Sequence, residues 1–373
     1  MKKKEKIIMM NKKISTLLLT GMMVMSMGTS VFAADGLNQE GTKDDPATVS
    51  VTKKLEFAEG ISTPDSSFDF TASKITALTP DAPDATIKSI KYTKGDEKDK
   101  LENTKYVISK TSKIEFGDFP HAGEYQYKVT ETKGTMEGMT YAANVYTLKV
   151  YVANADNNKL YIKTITATEE GKQQKPDKVL FTNTYRRRGG ENPDGEKYDS
   201  LVIRKDIKGE LADKTKKFDF ELVFERAITT PETETQLTGK IGDQEIKFTY
   251  LQGQKFKLSD GQELRFENIP AGTRYKVIEV GAKDGYVPSV DVVENGTKMT
   301  TRTAEEADSI SSAEGNKTNL IGERENKVTF TNRNDAKPVT GIIAKNAPMI
   351  LVAALGVLAM LGYALTKRRF VKR

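Results

Sequence analysis

Residues 49–57 read VSVTKKLEF, and residues 201–207 read LVIRKDI. Both stretches alternate apolar and polar side chains, which is the period of a β-strand with one buried face. In each stretch the face that carries the aliphatic side chains also carries a lysine, Lys53 in the first and Lys205 in the second. The sequence therefore predicts two strands that each direct one lysine into a hydrophobic core.

Further strands recur in the same order behind these two. Tyr127–Glu131 (YKVTE) recurs as Tyr275–Glu279 (YKVIE), and the VLFTN that ends at Asn183 recurs as the VTFTN that ends at Asn332. Lysine and glutamate are 78 and 74 residues apart in the two halves, and glutamate and asparagine are 52 and 53 apart. The remainder of the body also reads as short alternating runs between turn residues, so the sequence predicts a duplicated, all-β unit.

The repeat sets the predicted domain boundaries. We assign one β-sandwich domain to residues 49–187 and a second to residues 200–334, each of a size typical of such sandwiches. Residues 188–199 continue a triple-arginine stretch rich in Gly and charge, which predicts a solvated linker open to trypsin at Arg186–Arg188. The polar residues 34–48 predict a loose N-terminal arm.

Side-chain alternation places a lysine, a glutamate and an asparagine on the inward face of each domain. One interpretation is that the strands end there and the polar groups meet solvent. Another is chemical, because burial lowers the pKa of a lysine and raises that of a glutamate, so both can be neutral. A neutral amine is a nucleophile, and a protonated carboxyl can polarise an amide and pass protons to leaving ammonia. The product would be one Lys–Asn isopeptide bond per domain, formed without a cofactor.

The two ends of the chain differ from its body. Residues 1–33 have a Lys-rich start, a short apolar run and a terminal VFA, which is typical of a secretory signal peptide cleaved after Ala33. An uncharged apolar run of 19 residues at 347–365 is long enough to cross a bilayer. We therefore predict a transmembrane segment at 342–366 and a basic cytoplasmic tail at 367–373.

A short motif precedes the predicted span. The segment 335–341 contains Lys337, Pro338, Val339, Thr340 and Gly341. A P-x-T-G string followed by a span and a basic tail resembles the cell-wall sorting signal of Gram-positive surface proteins, on which a sortase thiolate acts. The resemblance implies cleavage between Thr340 and Gly341, with transfer of the new acyl group to an amine. Lys337 in place of the usual Leu favours a pilus-type sortase.

Composition argues against several other classes of function. The chain has no Cys and one His, so we expect no disulfide, no metal, no cofactor and no Ser-His-Asp triad. Residues 1–33 carry a charge of +5 and residues 341–373 carry a charge of +6. Because the net charge of the whole chain is +6, the residues between them carry −5, which argues against binding of nucleic acid. His121 lies in a predicted turn, and Asp156–Asn158 reads as a hairpin tip without the spacing of a Ca²⁺ loop. An enzyme that acts on external substrates is therefore not expected.

The early lysine, the Y-x-V-x-E strand and the closing F-T-N together resemble the isopeptide-forming, CnaB-like domains of Gram-positive pilins. With the sorting signal close behind Asn332, the layout is similar to the two-domain, T-antigen type of streptococcal major pilin. The resemblance implies two tandem Ig-like sandwiches and places the cross-links at particular residues. These are Lys53 to Asn183 with Glu131 as the catalytic residue, and Lys205 to Asn332 with Glu279.

The resemblance also implies a function and its partners. We expect a secreted structural subunit of a covalently polymerised fimbrium in the cell wall of a Gram-positive bacterium, with a precursor that is transiently held in the membrane. The expected partners are a pilus-type sortase, other copies of the chain, minor pilins, peptidoglycan and host surface ligands. In similar pilins the acceptor lysine lies just before the last strand of the N-terminal domain, which implies Lys175 or Lys178 here.

One alternative keeps the same sequence features. A monomeric, wall-anchored adhesin or a minor pilin stalk would carry the same sorting signal and the same internal bonds. The non-Leu motif favours polymerisation, and a ladder of high-mass species from wall extracts would distinguish the two hypotheses.

Overall fold

The computed structural model describes residues 36–101, 105–283, 285–304 and 308–335. The predicted signal peptide, the sortase motif at 337–341 and the predicted transmembrane segment lie outside these residues. Within the described part the prediction of an all-β chain is confirmed, with one short 3-10 helix (Asp156–Asn158) at the tip of a hairpin. No helix in this part is long and apolar enough to span a membrane.

The first half of the chain forms strands β1 to β12. They are β1 (Ser50–Ala58), β2 (Ser66–Phe68), β3 (Phe70–Lys74), β4 (Ala85–Ile87), β5 (Ile90–Tyr92), β6 (Asp99–Leu101), β7 (Lys105–Phe116), β8 (Gly123–Glu131), β9 (Met139–Thr140), β10 (Val145–Asn154), β11 (Leu160–Glu169) and β12 (Val179–Tyr185).

These strands form one long sheet in the order β11-β10-β8-β3-β4-β7-β1-β12-β9, and β2 pairs with β5 as a separate ribbon. Strand β1 runs parallel to β12, with Lys53 opposite Phe181, and antiparallel to β7. Side chains of β1 and β8 meet across the core, since Lys53 contacts Glu131. The sheet therefore folds back on itself, and its two parts face each other as the layers of a sandwich.

The second half forms strands β13 to β25. They are β13 (Leu201–Lys208), β14 (Phe218–Glu225), β15 (Gln236–Ile241), β16 (Gln244–Thr249), β17 (Gln254–Leu258), β18 (Glu263–Phe266), β19 (Arg274–Val280), β20 (Val287–Glu294), β21 (Thr297–Lys298), β22 (Arg302–Thr303), β23 (Ser309–Ser311), β24 (Asn319–Leu320) and β25 (Lys327–Arg333).

Two sheets build this second sandwich. One has the order β16-β15-β18-β13-β25-β20-β21, and the other has the order β17-β14-β19-β23. Strand β13 is parallel to β25 with Lys205 opposite Phe330, which repeats the register of β1 on β12. The first and last strands of each half are thus hydrogen-bonded neighbours. The repeated asparagine lies two residues beyond the repeated phenylalanine and shares its face.

Each half has its own hydrophobic core, and aromatic residues of the repeat occupy equivalent places in both. In the first core the rings of Phe70 and Phe181 lie 5.4 Å apart, and in the second those of Phe220 and Phe330 lie 5.2 Å apart. Such tilted and edge contacts are favoured by the quadrupole of the rings. The pairs join Phe70 of β3 and Phe220 of β14 to the F-T-N motifs of β12 and β25 in the facing layer.

The N-terminal arm is docked on the sheet, so the expectation of a loose arm was wrong. Backbone N–H groups of Asn38, Gly41 and Ala47 donate to carbonyls of β11 at 2.7 to 2.9 Å. A Cβ on Gly41 would lie 2.1 Å from the amide nitrogen of Ala47, so only glycine fits there. The arm satisfies backbone groups on the edge strand β11 that would otherwise be open to pairing with another chain.

The triple arginine is likewise part of a packed junction and not a solvated linker. Arg187 is 17% exposed and lies 3.7 Å from the carboxylate of Glu323, which is itself 3% exposed. The carbonyl of Arg187 accepts from the N–H of Ala271 at 2.9 Å, and the N–H of Gly190 donates to Gly322. Within the predicted linker at 188–199, only residues 193–197 are exposed.

Further contacts join the two halves at the same junction. Glu59 accepts from Arg274 at 2.6 Å, and the N–H of Ser62 donates to Glu323 at 2.9 Å. Burial raises the pKa of Glu323, and the Ser62 N–H and the Arg187 charge oppose that rise. Side-chain and backbone contacts from both halves therefore hold the chain at the point where they meet.

This packing changes the expected pattern of limited proteolysis. We expect trypsin to cleave first after Lys172 or Lys178, which are exposed in the loop between β11 and β12, and to leave Arg186–Arg188 intact. Peptide mapping by mass spectrometry measures both sites.

Glu323→Gln is the matched variant for this experiment, since it removes the charge that faces Arg187. It should accelerate cleavage at Arg186–Arg188 and leave cleavage after Lys172 unchanged. Early cleavage at the arginines of the unmodified chain would contradict a packed junction.

Candidate functional site

The first inward-facing lysine, glutamate and asparagine form one buried cluster. Lys53 Nζ lies 2.6 Å from Glu131 Oε2, and Asn183 Nδ2 donates to Glu131 Oε1 at 2.6 Å. The side chains of Lys53 and Glu131 are both fully excluded from solvent, and Asn183 is fully buried. One carboxylate therefore holds the amine and the amide side by side.

Sheet register explains how three residues far apart in the chain meet. Lys53 and Asn183 lie on the inner face of the neighbouring strands β1 and β12, and Glu131 ends β8 in the facing layer. The ring of Phe68 covers the amine, with its centroid 4.6 Å from Nζ. The cluster thus lies between the layers, where apolar side chains keep water away.

The second cluster repeats this arrangement. Lys205 Nζ lies 2.7 Å from Glu279 Oε1, and Asn332 Nδ2 donates to the same oxygen at 2.7 Å. The side chains of Lys205 and Glu279 and the whole of Asn332 are excluded from solvent. The ring centroid of Phe218 is 4.2 Å from the amine. The interpretation in which these polar groups meet solvent at strand ends is therefore wrong for both clusters.

Burial perturbs the titration of these groups. It lowers the pKa of Lys53 to about 8 and that of Lys205 to about 8, against the opposing effect of the hydrogen-bonded glutamates. Burial also raises the pKa of Glu279, although Lys205 and Asn332 favour its ionised form. In the second cluster both shifts favour transfer of a proton from Lys205 to Glu279, which produces the neutral amine that nucleophilic attack needs.

The two clusters differ at the amide oxygen. The backbone N–H of Ala142 donates to Asn183 Oδ1 at 2.8 Å. In the second cluster Asn332 Oδ1 and Glu279 Oε2 are buried, and neither has a hydrogen-bond partner among the described residues. Sequence reasoning missed Ala142, because a backbone donor leaves no signal in the residue type.

Other basic residues lie apart from the clusters. Lys54, which follows Lys53, and Arg204, which precedes Lys205, lie on the outward faces of β1 and β13, as side-chain alternation requires. Lys175 and Lys178 are exposed in the loop before β12. His121 is an exposed loop residue that contacts Asp81 at 2.7 Å. No side-chain hydrogen bond or ion pair joins any of these five residues to the lysine, glutamate or asparagine of either cluster.

Two sequence families match the chain over consecutive parts. Residues 49–186 match the Spy0128-like isopeptide containing domain, and residues 199–334 match a domain of unknown function, DUF7601. A curated "Pilin" of Streptococcus pyogenes serotype M1 is 26% identical over 370 residues, which covers 94% of this chain and 97% of that protein. The "Pilus tip adhesin Cpa" of Streptococcus pyogenes is 32% identical over 148 residues, but the match covers only 18% of that protein.

Solved structures of streptococcal pilins are also similar. The major pilin protein T3.2 from Streptococcus pyogenes aligns over 77% of this chain and 98% of its own, at 22% identity and a TM-score of 0.35. Another major pilin of Streptococcus pyogenes aligns over 78% and 99%, at 22% identity and a TM-score of 0.35. From the sequence matches, the chain is similar to a streptococcal pilin over nearly its whole length, and its residues 49–186 match the Spy0128-like isopeptide containing domain.

Proposed function

We propose that this chain is the backbone subunit of a covalently polymerised pilus and that each of its two domains, 49–187 and 200–334, contains one Lys–Asn isopeptide bond. The observation that supports the bonds is the pair of buried clusters, in each of which one carboxylate contacts both an amine and an amide. The match to a curated pilin over 97% of that protein supports the pilus.

The proposed reaction balances without a cofactor. A proton passes from Lys53 Nζ to Glu131, and the neutral amine attacks Cγ of Asn183. Glu131 gives that proton to Nδ2 and, as a carboxylate again, takes one proton from the nitrogen of the new C–N bond. The Cγ–Nδ2 bond then breaks and ammonia leaves, with Glu131 protonated at the end. The reaction occurs once in each domain, because it consumes the lysine and the asparagine. Glu279 would do the same for the second lysine and asparagine.

Polymerisation would use Thr340, which lies outside the described residues, and a lysine of the first domain. A pilus-type sortase would cleave between Thr340 and Gly341 and join the Thr340 carbonyl to a lysine of another copy. Lys175 and Lys178 remain the proposed acceptors, and their exposure in one loop supports access by an enzyme. The finished polymer, with its minor pilins, would be attached to peptidoglycan.

A monomeric adhesin or a minor pilin stalk is the second candidate function. The 32% identity to a pilus tip adhesin over 148 residues favours it. The share of the relatives covered favours the backbone subunit instead, since this chain matches nearly all of the pilin and a small part of the adhesin.

Intact mass tests the internal bonds. Each bond releases one ammonia, so purified chain 34–340 should weigh about 34 Da less than its sequence predicts. Glu131→Ala and Glu279→Ala should each restore about 17 Da, because each removes the proton carrier of one cluster. Glu124→Ala, on the exposed side of β8, is the matched control and should leave the deficit at about 34 Da. A mass equal to the sequence mass would refute both bonds.

Denaturing gels of wall extracts test polymerisation. With a pilus-type sortase, the unmodified chain should form a ladder of high-mass species, and Thr340→Ala should abolish it. Lys175→Arg and Lys178→Arg keep the charge but remove the amine, so the variant at the true acceptor should lose the ladder and the other should keep it. A ladder that survives in the double variant would exclude both lysines.

The dependence of stability on pH tests the burial of Lys205. Asn332→Ala removes the amide and leaves an uncrosslinked Lys205–Glu279 pair. The folded pKa of Lys205, about 8, lies below the value of about 10.5 expected for the unfolded chain. Between these values the unfolded state binds more protons, so the free energy of unfolding should rise with pH, by at most about 1.4 kcal/mol per unit.

Urea unfolding of the second domain between pH 8 and 9.5 measures this slope. The raised pKa of Glu279 acts in the opposite direction, because the folded state then binds the proton of that carboxyl more tightly than the unfolded state does. Lys205→Met combined with Asn332→Ala is the control, and the rise should be absent from it. Equal slopes in the two variants would show that Lys205 keeps an ordinary pKa.

A further inference from the structure

We propose that the backbone N–H of Ala142 stabilises the oxyanion formed during cross-linking in the first domain, and that the Lys53–Asn183 bond therefore forms faster than the Lys205–Asn332 bond. The inference rests on the proposed function, because it concerns the same reaction. It assigns a role in the reaction to a backbone N–H, whose position cannot be read from the residue type.

The hydrogen bond from Ala142 fixes the orientation of the amide. A backbone N–H can only donate, so the atom of Asn183 that lies 2.8 Å from it is the oxygen. The nitrogen of the same amide must then face Glu131, at 2.6 Å. The leaving nitrogen thus faces the proton carrier, and the carbonyl oxygen faces a donor that keeps its proton.

Such a donor lowers the barrier to attack. When Lys53 Nζ bonds to Cγ of Asn183, the carbonyl π electrons move to Oδ1, which becomes an alkoxide until the Cγ–Nδ2 bond breaks. A fixed N–H in a site without water stabilises this charge more than it stabilises the neutral amide. Removal of one donor of this kind slows acyl-transfer enzymes by about 100-fold or more.

Strand β9 places the donor. It pairs with β12 through Met139 opposite Tyr185 and Thr140 opposite Thr184. The chain that leaves β9 therefore passes beside Asn183 two residues later, at Ala142. Because β9 is hydrogen-bonded to β12, the segment that follows β9 is held beside the strand that carries the reacting asparagine.

The second domain has a different arrangement at this point. The residue opposite Asn332 in the ladder is Pro288, which has no N–H. The carbonyl of Ala282 accepts from Asn332 Nδ2 at 3.4 Å, so a backbone acceptor replaces the backbone donor of the first domain. Asn332 Oδ1 has no donor among the described residues. The developing negative charge is therefore less stabilised there.

Time-resolved mass spectrometry compares the two domains within one molecule. Chain 34–340 is made by cell-free translation in a short pulse and quenched in acid at intervals. Proteolytic mapping then reports the loss of about 17 Da at each lysine–asparagine pair. The first bond should form at least about tenfold faster than the second. Equal or reversed rates would overturn the proposal.

An amide-to-ester replacement tests Ala142 directly. Incorporation of the hydroxy acid corresponding to alanine at position 142 removes the N–H and keeps the methyl side chain. The first bond should then form roughly 100-fold more slowly, while the second keeps its rate.

An ester at Thr132 is the matched control. It removes a backbone N–H that donates to Asp69 at 2.8 Å, near the same cluster but not to the reacting amide. Equal slowing by the two esters would show an effect on folding and overturn the assignment of Ala142, as would an unchanged rate in the Ala142 ester. Absence of any ammonia loss in the unmodified chain would instead refute the proposed function.

Discussion

The buried carboxylate that contacts both an amine and an amide is the interaction on which each half of this protein depends. Taking an isolated lysine charge out of water costs many kcal/mol, and the cost is acceptable only if a partner removes or balances the charge. Glu131 and Glu279 do so at 2.6 and 2.7 Å. For that contact to exist, the layer that contains the glutamate must lie against the layer that contains the lysine. The core aromatics join the same two layers, so the apolar packing and the polar contact both require the same arrangement of these layers.

The proposed bonds would change what holds each domain together under load. The first and last strands of each half are parallel neighbours, and their ladder hydrogen bonds are worth about 1 kcal/mol each. An amide bond between these strands cannot be broken by a pulling force that breaks such a ladder. By the loop-entropy argument used for disulfides, a link that encloses about 130 residues also stabilises the folded state by roughly 5 kcal/mol. A chain without cysteine would obtain in this way the cross-link that secreted proteins often obtain from disulfides.

The contacts at the junction between the halves also affect how the chain responds to a pulling force. Arg187, Glu323, Glu59 and Arg274 form ion pairs across it, and backbone hydrogen bonds link Arg187 and Gly190 to the second half. A backbone subunit of a fibre benefits from a junction that does not bend freely, because a pulling force is then transmitted from one domain to the next. The docked N-terminal arm acts elsewhere, on the edge strand β11, where it limits unplanned pairing between copies.

Side-chain alternation and internal repetition by themselves determined the all-β class, the three repeated strands of each half, their inward faces and the six residues of the two clusters, because these depend only on residue type and spacing. Tertiary structure alone decided the rest. The arm at 36–48 and the segment around Arg187 are polar, and their burial comes from backbone hydrogen bonds and charge pairs to residues distant in the chain. The contrast between Ala142 and Ala282 shows most clearly what residue type and spacing cannot predict. Both are alanines beside a reacting asparagine, yet one presents an N–H and the other a carbonyl, and only the path of the backbone distinguishes them.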